Sequence, residues 1–299
     1  LSITYIGYKN QFIISLLLYM ERSEFNILFD ICMKHQWLGE KKEALTHLLF
    51  VDCEDVETRN IVMQLIDKIK YITDIEYNQL LKYLAENIIQ TESDPCKVQI
   101  VAMTGDSGAD SAQAVVYSLK SILAQKDRDG YLFVNRYDHS YKEASRKNFN
   151  HTKIILVDNF IGSGDTVLGR IQRIKTQYGT QDIQICVKVL FCTEVGKKRL
   201  EQEGIEVYIV YEPLKKVIDD FYDIEEANLF KEKIKYIESK FLENFEGRSL
   251  HSLGYGEGQI ALAIQDVNTP NNVLPIFWWK YYKNMTKRPV ILHRAMADA

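Results

Sequence analysis

Cysteine clusters and long apolar runs are both missing from this sequence, and each absence excludes a class of protein. The five cysteines among 299 residues are odd in number and show no Cys-x-x-Cys spacing. This pattern argues for reduced thiols, and against a disulfide framework or a structural zinc site. The apolar run from Phe12 to Tyr19 is much too short to cross a bilayer. We therefore expect a cytoplasmic protein that is not embedded in a membrane.

An excess of positive charge is also absent. Lys and Arg together number 37 against 41 for Asp and Glu, which gives a net charge of −4. A strongly basic chain would bind nucleic acid generally by neutralising phosphates. This composition argues against that class and leaves room for a local basic patch. The Gly-Lys-Ser/Thr ending of a Walker loop is missing as well, so ATP hydrolysis by that route is not expected.

The first 94 residues are predicted to form a helical region. From Glu21 to Gln90 apolar residues recur three and four positions apart, with no proline and one glycine, which is typical of three to five helices. A break at Thr91 to Lys97, which contains Pro95, ends the region. The first methionine is Met20, and we expect the natural chain to start there.

From Val98 onward, short apolar runs alternate with helical stretches. Such alternation predicts βαβ units, a parallel sheet and helices on both of its faces. We expect a charged helix from about Ile224 to Asn244 and a glycine-rich closing segment over residues 246–299. The predicted fold class is therefore α/β, with the parallel sheet in a domain over residues 95–299. The predicted strands are VQIVAM, YLFV, KIILVD, IQICVKVLF and IEVYIV.

One stretch, IILVDNFIGSGDTV, places an acid and an amide at the end of a predicted strand and a small-residue loop before a helix. Ligands of open parallel sheets bind beyond the carboxyl ends of the strands. The N–H groups of Gly162-Ser163-Gly164 and the positive end of the helix suit a phosphate monoester. Asp158 and Asn159 suit sugar hydroxyls. The alternative is a plain strand–turn–helix connection with Asp165 as the N-cap.

This stretch resembles the motif by which type I phosphoribosyltransferases bind phosphoribosyl pyrophosphate (PRPP). That motif has four apolar residues, two acids, two apolar residues and a Thr- and Gly-rich loop, and the match from Ile154 to Thr166 has no gap. Three positions depart from it, because Asn159 replaces the second acid, Ser163 replaces the usual Thr, and Asp165 adds a negative charge to the loop. The resemblance implies catalytic roles for Asp158 and Asn159 and a PRPP phosphate site at Gly162, Ser163, Gly164, Asp165 and Thr166.

A second loop, MTGDSGADS, follows the first predicted strand of the sheet. By the same resemblance this loop holds the pyrophosphate of PRPP. Because two nearby acids would repel the pyrophosphate, the resemblance also implies Mg²⁺, which is bound through the ligand. The alternative is a helix start capped by Ser or Asp. The residues concerned are Gly105, Asp106, Ser107, Gly108 and Ser111.

Two further segments complete the site that the resemblance implies. Residues 135–151 stand where the family carries a mobile loop that closes over the leaving group, and the candidates in it are Lys142, Arg146 and Lys147. The alternative for each is a solvated surface residue. A closing segment rich in Gly, Asn and aromatics supplies a candidate base pocket of Tyr255, Asn271 and Asn272. Its alternative is a rigid turn, with Trp278 and Trp279 in the core.

The N-terminal helices, the divergent motif and the terminal NTPNNVLPIFWW resemble the PRTase-like effector domain of prokaryotic conflict systems, including those encoded beside retron reverse transcriptases. The resemblance implies a PRPP-dependent enzyme, a phosphoribosyltransferase (glycosyltransferase) or nucleotide glycosidase, that acts on a nucleobase or nucleotide in antiviral defence. The alternatives are a catalytically silent PRPP or nucleotide sensor, and a partner-binding subunit of a complex with a reverse transcriptase and its noncoding RNA. The oligomeric state stays open.

Overall fold

A computed structural model describes residues 21–105, 110–148, 150–179 and 182–295 of the chain. The apolar run at Phe12 to Tyr19 and the expected start at Met20 lie outside these ranges. No helix in these ranges is both long and apolar enough to span a bilayer. The five cysteines are all free thiols.

Between residues 21 and 94 the N-terminal region contains four α-helices, which agrees with the three to five predicted from its periodicity. A turn of 3₁₀-helix, Gln36–Lys41, joins the first two, and a π-helical turn, Leu48–Asp52, follows the second. Thr73 and Glu76 form a reciprocal capping box at the start of the longest helix, so its N-terminus is fixed by local sequence. The helices are α1 Arg22–Lys34, α2 Lys42–His47, α3 Val56–Asp67 and α4 Asp74–Thr91.

Five parallel strands form the central sheet in the order β3-β2-β4-β5-β6. Each corresponds to one of the five predicted strands, so the predicted α/β class with a parallel sheet is confirmed. The central strands carry continuous apolar runs because helices cover both faces. The strands are β2 Val98–Ala102, β3 Leu132–Val134, β4 Lys153–Ile161, β5 Gln184–Cys192 and β6 Val207–Ile209.

Helix α4 is fixed to one face of this sheet by a buried lysine. Lys188 of β5 is 1% exposed, and its ammonium donates to Asn87 Oδ1 (2.7 Å) and to Thr91 Oγ1 (2.6 Å). Burial lowers the pKa of Lys188. The remaining helices are α5 Ser111–Gln125, α6 Ser140–Arg146, α7 Asp165–Tyr178, α8 Glu194–Gln202 and α9 Ile224–Glu238.

The charged helix α9 is shorter than predicted, because it ends at Glu238 and not near Asn244. The chain after it is taken up by the closing segment, since Leu242 N donates to Tyr281 O (2.9 Å) and Phe241 bridges to Tyr282. This segment contains a small hairpin, β7 Asn244–Phe245 and β8 Arg248–Ser249, and the strand β9 Leu262–Ile264. Trp278 and Trp279 are buried, as the core alternative for them predicted.

The closing segment also joins the N-terminal helical region directly. Strand β1, Lys70–Ile72, pairs in parallel with β9, with Tyr71 opposite Ala263. A buried ion pair between Asp52 and Arg288 reinforces this connection (2.5 Å). The predicted boundary at residue 94 falls between α4 and β2, and it stays a prediction, because the pieces on either side share a strand pair and an ion pair.

Candidate functional site

The small-residue loop lies between the end of β4 and the start of α7. Gly164 has φ +85°, a left-handed conformation that glycine adopts without strain, and it is the N-cap of α7. Asp165 is therefore the first helical residue, and the alternative that made it the N-cap is wrong. Its side chain is 70% exposed and turns toward Arg199 of α8 (3.7 Å). The negative charge of Asp165 is thus exposed and lies near the positive charge of Arg199, while Thr166 is exposed at the helix start.

Two elements clamp the loop at Gly162. The Gly162 carbonyl accepts a hydrogen bond from Thr193 Oγ1 (2.8 Å), and α8 begins directly against it. A Cβ at Gly196 would lie 2.1 Å from that carbonyl oxygen. On another side, a Cβ at Gly162 would lie 2.4 Å from Asn272 Oδ1. The loop is thus held rigidly by α8 and by the closing segment, as an anion site built from backbone N–H groups requires.

The structure brings the predicted base-pocket residues to this loop. Asn272 is buried and donates from Nδ2 to the Tyr255 carbonyl (2.9 Å), and Tyr255 N donates to the Asn271 carbonyl (2.8 Å). The cavity bounded by Gly162, Tyr255 and Asn272 has a volume of only 40 Å³. That is room for about one water molecule. The amide of Asn272 therefore fixes the loop in this structure, and this cavity does not have room for a base.

Asp158 lies at the carboxyl end of β4, partly buried. Its Oδ1 accepts from Ser111 Oγ (3.2 Å) and from Asn159 N (2.7 Å). Burial raises the pKa of Asp158 to about 6, and the negative charge of Asp110 adds to this rise. The guanidinium of Arg170 acts in the opposite direction, as do the two hydrogen bonds. A carboxyl with a pKa this close to neutrality is typical of functional sites.

Asn159 does not share this environment. Side chains of successive strand residues point to opposite faces of a sheet. Asn159 is 2% exposed, and its Oδ1 is a buried acceptor without a hydrogen-bond partner in the described ranges. Asp158 and Asn159 therefore do not present their side chains together, although the sequence places them side by side.

The loop after β2 is described only in part, since Asp106, Ser107 and Gly108 lie outside the described residues. Asp110 is the N-cap of α5, where its Oδ1 accepts from Gln113 N (3.1 Å) and from Thr104 Oγ1 (2.5 Å). The capped helix start that the sequence offered as an alternative is therefore present. It places Ser111 beside Asp158.

Two arginines and a tyrosine near Gly105 were missed from the sequence. Arg136 is bound to Asp138 through two hydrogen bonds and also donates to the Gly105 carbonyl (3.2 Å). Arg170 of α7 lies 5.6 Å from the Tyr137 ring centre, and its Nη2 is 3.8 Å from where a Cβ of Gly105 would stand. In the described part of the chain, no carboxylate forms an ion pair with Arg170. The sequence signal for Arg170 was its position on the helix that starts at the loop, and that position alone does not distinguish it from a solvated residue.

Tyr77 is a further missed residue, and it comes from the N-terminal region. It lies on α4, and burial together with the charge of Asp158 raises its pKa to about 12. The helical region therefore contributes to the surroundings of Asp158. Periodicity shows only that Tyr77 is on a helix, so the sequence gives no signal for this placement.

The candidates in the predicted mobile loop are not brought to the site. Residues 140–146 form α6, where Arg146 pairs with Glu143 (2.5 Å). Tyr141 packs edge-on against Tyr178, with ring centres 5.2 Å apart. Tyr178 ends α7, about 20 Å from the start of that helix. Lys142, Arg146 and Lys147 therefore lie near the opposite end of α7 from the loop at Gly162.

The chain is similar to known proteins of one family and to several solved structures. A family model described as PRTase-CE matches residues 34–288. None of the curated proteins matches the chain. Among solved structures, a xanthine-guanine-hypoxanthine phosphoribosyltransferase of Helicobacter pylori is 13% identical (TM-score 0.28), with 42% of this chain and 78% of that one covered. An orotate phosphoribosyltransferase from Aeropyrum pernix is 12% identical (TM-score 0.30), with coverages of 46% and 71%.

A hypothetical protein from Neisseria gonorrhoeae with bound ppGpp is also similar. It is 15% identical with a TM-score of 0.33, and the alignment covers 55% of this chain and 97% of that one. TM-scores at this level carry no argument about function.

Proposed function

The chain belongs to the PRTase-CE family, and from this premise we propose that it binds PRPP and transfers the phosphoribosyl group to a nucleobase or nucleotide. The observation that carries the proposal is the clamped loop Gly162 to Thr166 at the start of α7, with Asp158 at the end of the preceding strand. Backbone N–H groups at a helix start suit the 5′-phosphate. Asp158 then accepts hydrogen bonds from the ribose hydroxyls.

In this proposal a nitrogen of the acceptor attacks C1 of the ribose. The bond from C1 to the pyrophosphate oxygen breaks, and its electron pair leaves with pyrophosphate. The transition state has positive charge on the sugar and growing negative charge on the leaving group, so catalysis depends on fixed charges placed near each. The ionised Asp158 favours the positive sugar. Arg170, a cation near Gly105, favours the leaving pyrophosphate.

Mg²⁺ is the metal that the resemblance implies. In the described ranges no three His, Cys, Asp or Glu side chains form a group that could hold a metal on their own. Mg²⁺ is usually held by one or two carboxylates, by waters and by substrate phosphates. Asp158 and Asp110, close enough for one to raise the pKa of the other, fit such a site. They would hold Mg²⁺ that arrives with PRPP, and the metal would neutralise charge on the pyrophosphate.

A second candidate function is a PRPP or nucleotide sensor without turnover. The buried Asn159, which stands where the family has a second acid, favours it. The same pocket in a nucleotide glycosidase would use water as the acceptor. Antiviral defence and a complex with a reverse transcriptase and RNA, both expected from the resemblance to retron-associated effectors, are part of the proposal, as is a cytoplasmic location.

Calorimetric titration of PRPP with Mg²⁺ tests the site. We expect Asp158→Asn to weaken binding about tenfold or more, because a charged hydrogen bond contributes about 1.5–3 kcal/mol. Asp127→Asn is the matched control, since it removes the same charge from an exposed turn after α5. Thr166→Ala should also weaken binding without unfolding the chain. Wild-type protein that does not bind PRPP would refute the proposal.

Turnover separates the enzyme from the sensor. Pyrophosphate release is measured with PRPP, Mg²⁺ and each candidate base or nucleotide. Release that depends on an acceptor indicates a transferase, and release of free base from a nucleotide without pyrophosphate indicates a glycosidase. Tight PRPP binding without release in any of these assays would favour the sensor.

A further inference from the structure

A second cleft, whose lining shares no residue with the Gly162 loop, lies between the N-terminal helical region and the closing segment. Its volume is 820 Å³, within the usual range for small-molecule sites. One wall comes from the 3₁₀ turn Gln36–Lys41, and the other from the strand β9 and the residues after it. Its lining includes Trp37, Lys41, Tyr71, Lys280 and His293.

The ammonium groups of Lys41 and Lys280 lie close to His293 in this cleft. Lys41 Nζ lies 3.2 Å from His293 Nε2. The neutral imidazole accepts a hydrogen bond from the ammonium of Lys41. Burial lowers the pKa of His293, and the charges of Lys41 and Lys280 lower it further. Within the described ranges neither lysine forms an ion pair with a carboxylate. Like charges held together in this way are relieved by a bound anion.

A flat aromatic pair lies beside these cations. The rings of Trp37 and Tyr71 stack with centres 4.7 Å apart and planes 5° apart. Trp37 and Lys41 are four residues apart on the same 3₁₀ turn, which puts them about 8 Å apart along its axis. A nucleotide has a comparable separation between its phosphate and its base.

Acidic residues in the cleft limit the number of phosphates. Glu40 and Asp266 also line it, and after burial they are the next causes of the raised pKa of Tyr71. Carboxylates beside the aromatic pair would repel a second or third phosphate. They accept hydrogen bonds from sugar hydroxyls or a base amino group.

We propose that this cleft is a second ligand site that takes a nucleoside monophosphate, with the phosphate at Lys41, Lys280 and His293 and the base beside Trp37 and Tyr71. The site is separate from the PRPP site and does not depend on it. Its position between the helical region and the closing segment suits a ligand that acts on how these two parts are held together.

The test is a fluorescence titration of the full chain with AMP. Trp37 is one of three tryptophans, and a base beside it should quench its emission, so Trp37→Phe should remove most of the signal. Lys280→Gln and Lys41→Gln should each weaken AMP binding about tenfold or more. Lys42→Gln, at the exposed neighbouring lysine, is the matched control and should change affinity less than twofold. Adenosine, which lacks the phosphate, should bind at least tenfold more weakly than AMP.

A second variant distinguishes binding at this cleft from binding at the loop Gly162 to Thr166, which would also accept a 5′-phosphate. The AMP signal should persist in Thr166→Ala and disappear in Lys280→Gln, with thermal unfolding confirming that each variant is folded. Three results would overturn the proposal: no binding of AMP by the wild type, equal loss in Lys42→Gln and Lys280→Gln, or loss of the signal in Thr166→Ala.

Discussion

Asp158 and Arg170 carry opposite charges at the carboxyl edge of the sheet, and the guanidinium favours the ionised form of the carboxyl. The cation lowers the pKa of the carboxyl, which burial and Asp110 raise to about 6. Asp158 is therefore mostly ionised at pH 7 and becomes neutral in mild acid. PRPP binding through Asp158 should accordingly weaken as the pH falls below about 6.

We expect Arg170→Gln to weaken PRPP binding about tenfold or more, because Arg170 is a cation near Gly105 that forms no ion pair with a carboxylate in the described residues. Binding of ribose 5-phosphate, which lacks the pyrophosphate, should change little. Both are measured by calorimetry. Arg146→Gln is the comparison, since Arg146 lies near the far end of α7 and pairs with Glu143. A larger effect at Arg146 would mean that residues 135–151 close over the ligand, as the sequence predicted.

The residues of the loop could be predicted because the motif is continuous in sequence and each position has a local reason. Asp165 was read as the N-cap in the turn alternative because Asp is a common cap. The left-handed Gly164 takes that role and turns Asp165 toward Arg199. Arg170 could not be found, since one arginine on an amphipathic helix looks like any solvated residue. Its position depends on Gly105 and Tyr137, which are distant in sequence.

Among the elements, α8 determines whether the loop Gly162 to Thr166 can form. Its start packs so closely on the Gly162 carbonyl that position 196 has no room for a side chain. The two strands β4 and β5 bring these parts together, since Ile161 pairs with Cys192 one residue before each loop begins. The shape of the loop is therefore set by the neighbouring βα connection as well as by its own glycines.

Gly196→Ala should destabilise the chain by several kcal/mol, because the added Cβ would lie 2.1 Å from the backbone oxygen of Gly162. Gly169→Ala is the matched control. Gly169 lies inside α7 with no atom within 4 Å of its would-be Cβ, and alanine there should stabilise the helix by about 0.5–1 kcal/mol. Urea unfolding measures both. Equal effects of the two substitutions would contradict the close packing of α8 on the loop.

The end of α9 carries a buried acid whose stability contribution depends on pH. Glu238 accepts from Ser252 Oγ (2.6 Å) and Leu253 N (3.1 Å), and burial raises its pKa from 4.5 to about 7. A raised folded-state pKa favours the protonated form. The stabilisation that Glu238 contributes to the free energy of unfolding is therefore fully present below about pH 4.5 and is lost as the pH rises through 7.

Glu238→Gln should remove this dependence, because the amide cannot ionise. The free energy of unfolding of the wild type, compared with that of the variant, should fall by roughly 3 kcal/mol from pH 4.5 to pH 8. Urea unfolding at four pH values in that range measures the difference. A difference between the two proteins that stays constant with pH would show that Glu238 does not titrate in the folded state as described.

On the scale of the whole molecule, the first helices and the closing segment form one packed unit. Asp52 and Arg288 are both buried, and Arg288 also donates to the carbonyls of Trp279 (2.8 Å) and Ile276 (3.0 Å). Tyr282 donates to Asp52, and His47 lies against the Tyr282 hydroxyl (2.6 Å). This buried network is the polar centre of the interface between the two parts.

Arg288→Met should destabilise the chain by about 3–5 kcal/mol, because it removes the guanidinium that neutralises the buried Asp52. Lys34→Met is the comparison, since it breaks an exposed ion pair with Asp67 (2.6 Å) and should cost at most about 1 kcal/mol. Denaturant unfolding measures both. The double variant Asp52→Asn/Arg288→Met should recover part of the loss, and a double variant as unstable as the sum of its single changes would argue against the pair.

Contacts between elements far apart in sequence could not be predicted from the sequence. The order of the elements along the chain could be predicted. Periodicity predicted three to five N-terminal helices and the five strands of the sheet, because each pattern lies within a short window. The pairing of β1 with β9 connects Lys70 to Leu262, and each of these strands is only three residues long. Nothing in such short segments specifies a partner nearly two hundred residues away, so the sequence gives no sign that the regions on either side of residue 94 share a strand pair.

This pairing has a consequence for how the chain is made. Residues 22–91 leave the ribosome long before Leu262 or Arg288 is synthesised. Strand β1 therefore lacks its partner strand while the central sheet is assembled. Contacts between residues so far apart in sequence form slowly. During that time the unpaired edge of β1 and the unpaired Asp52 would stay accessible to chaperones or to other chains. Translation speed over the second half of the message should therefore affect the yield of folded protein more than speed over the first half.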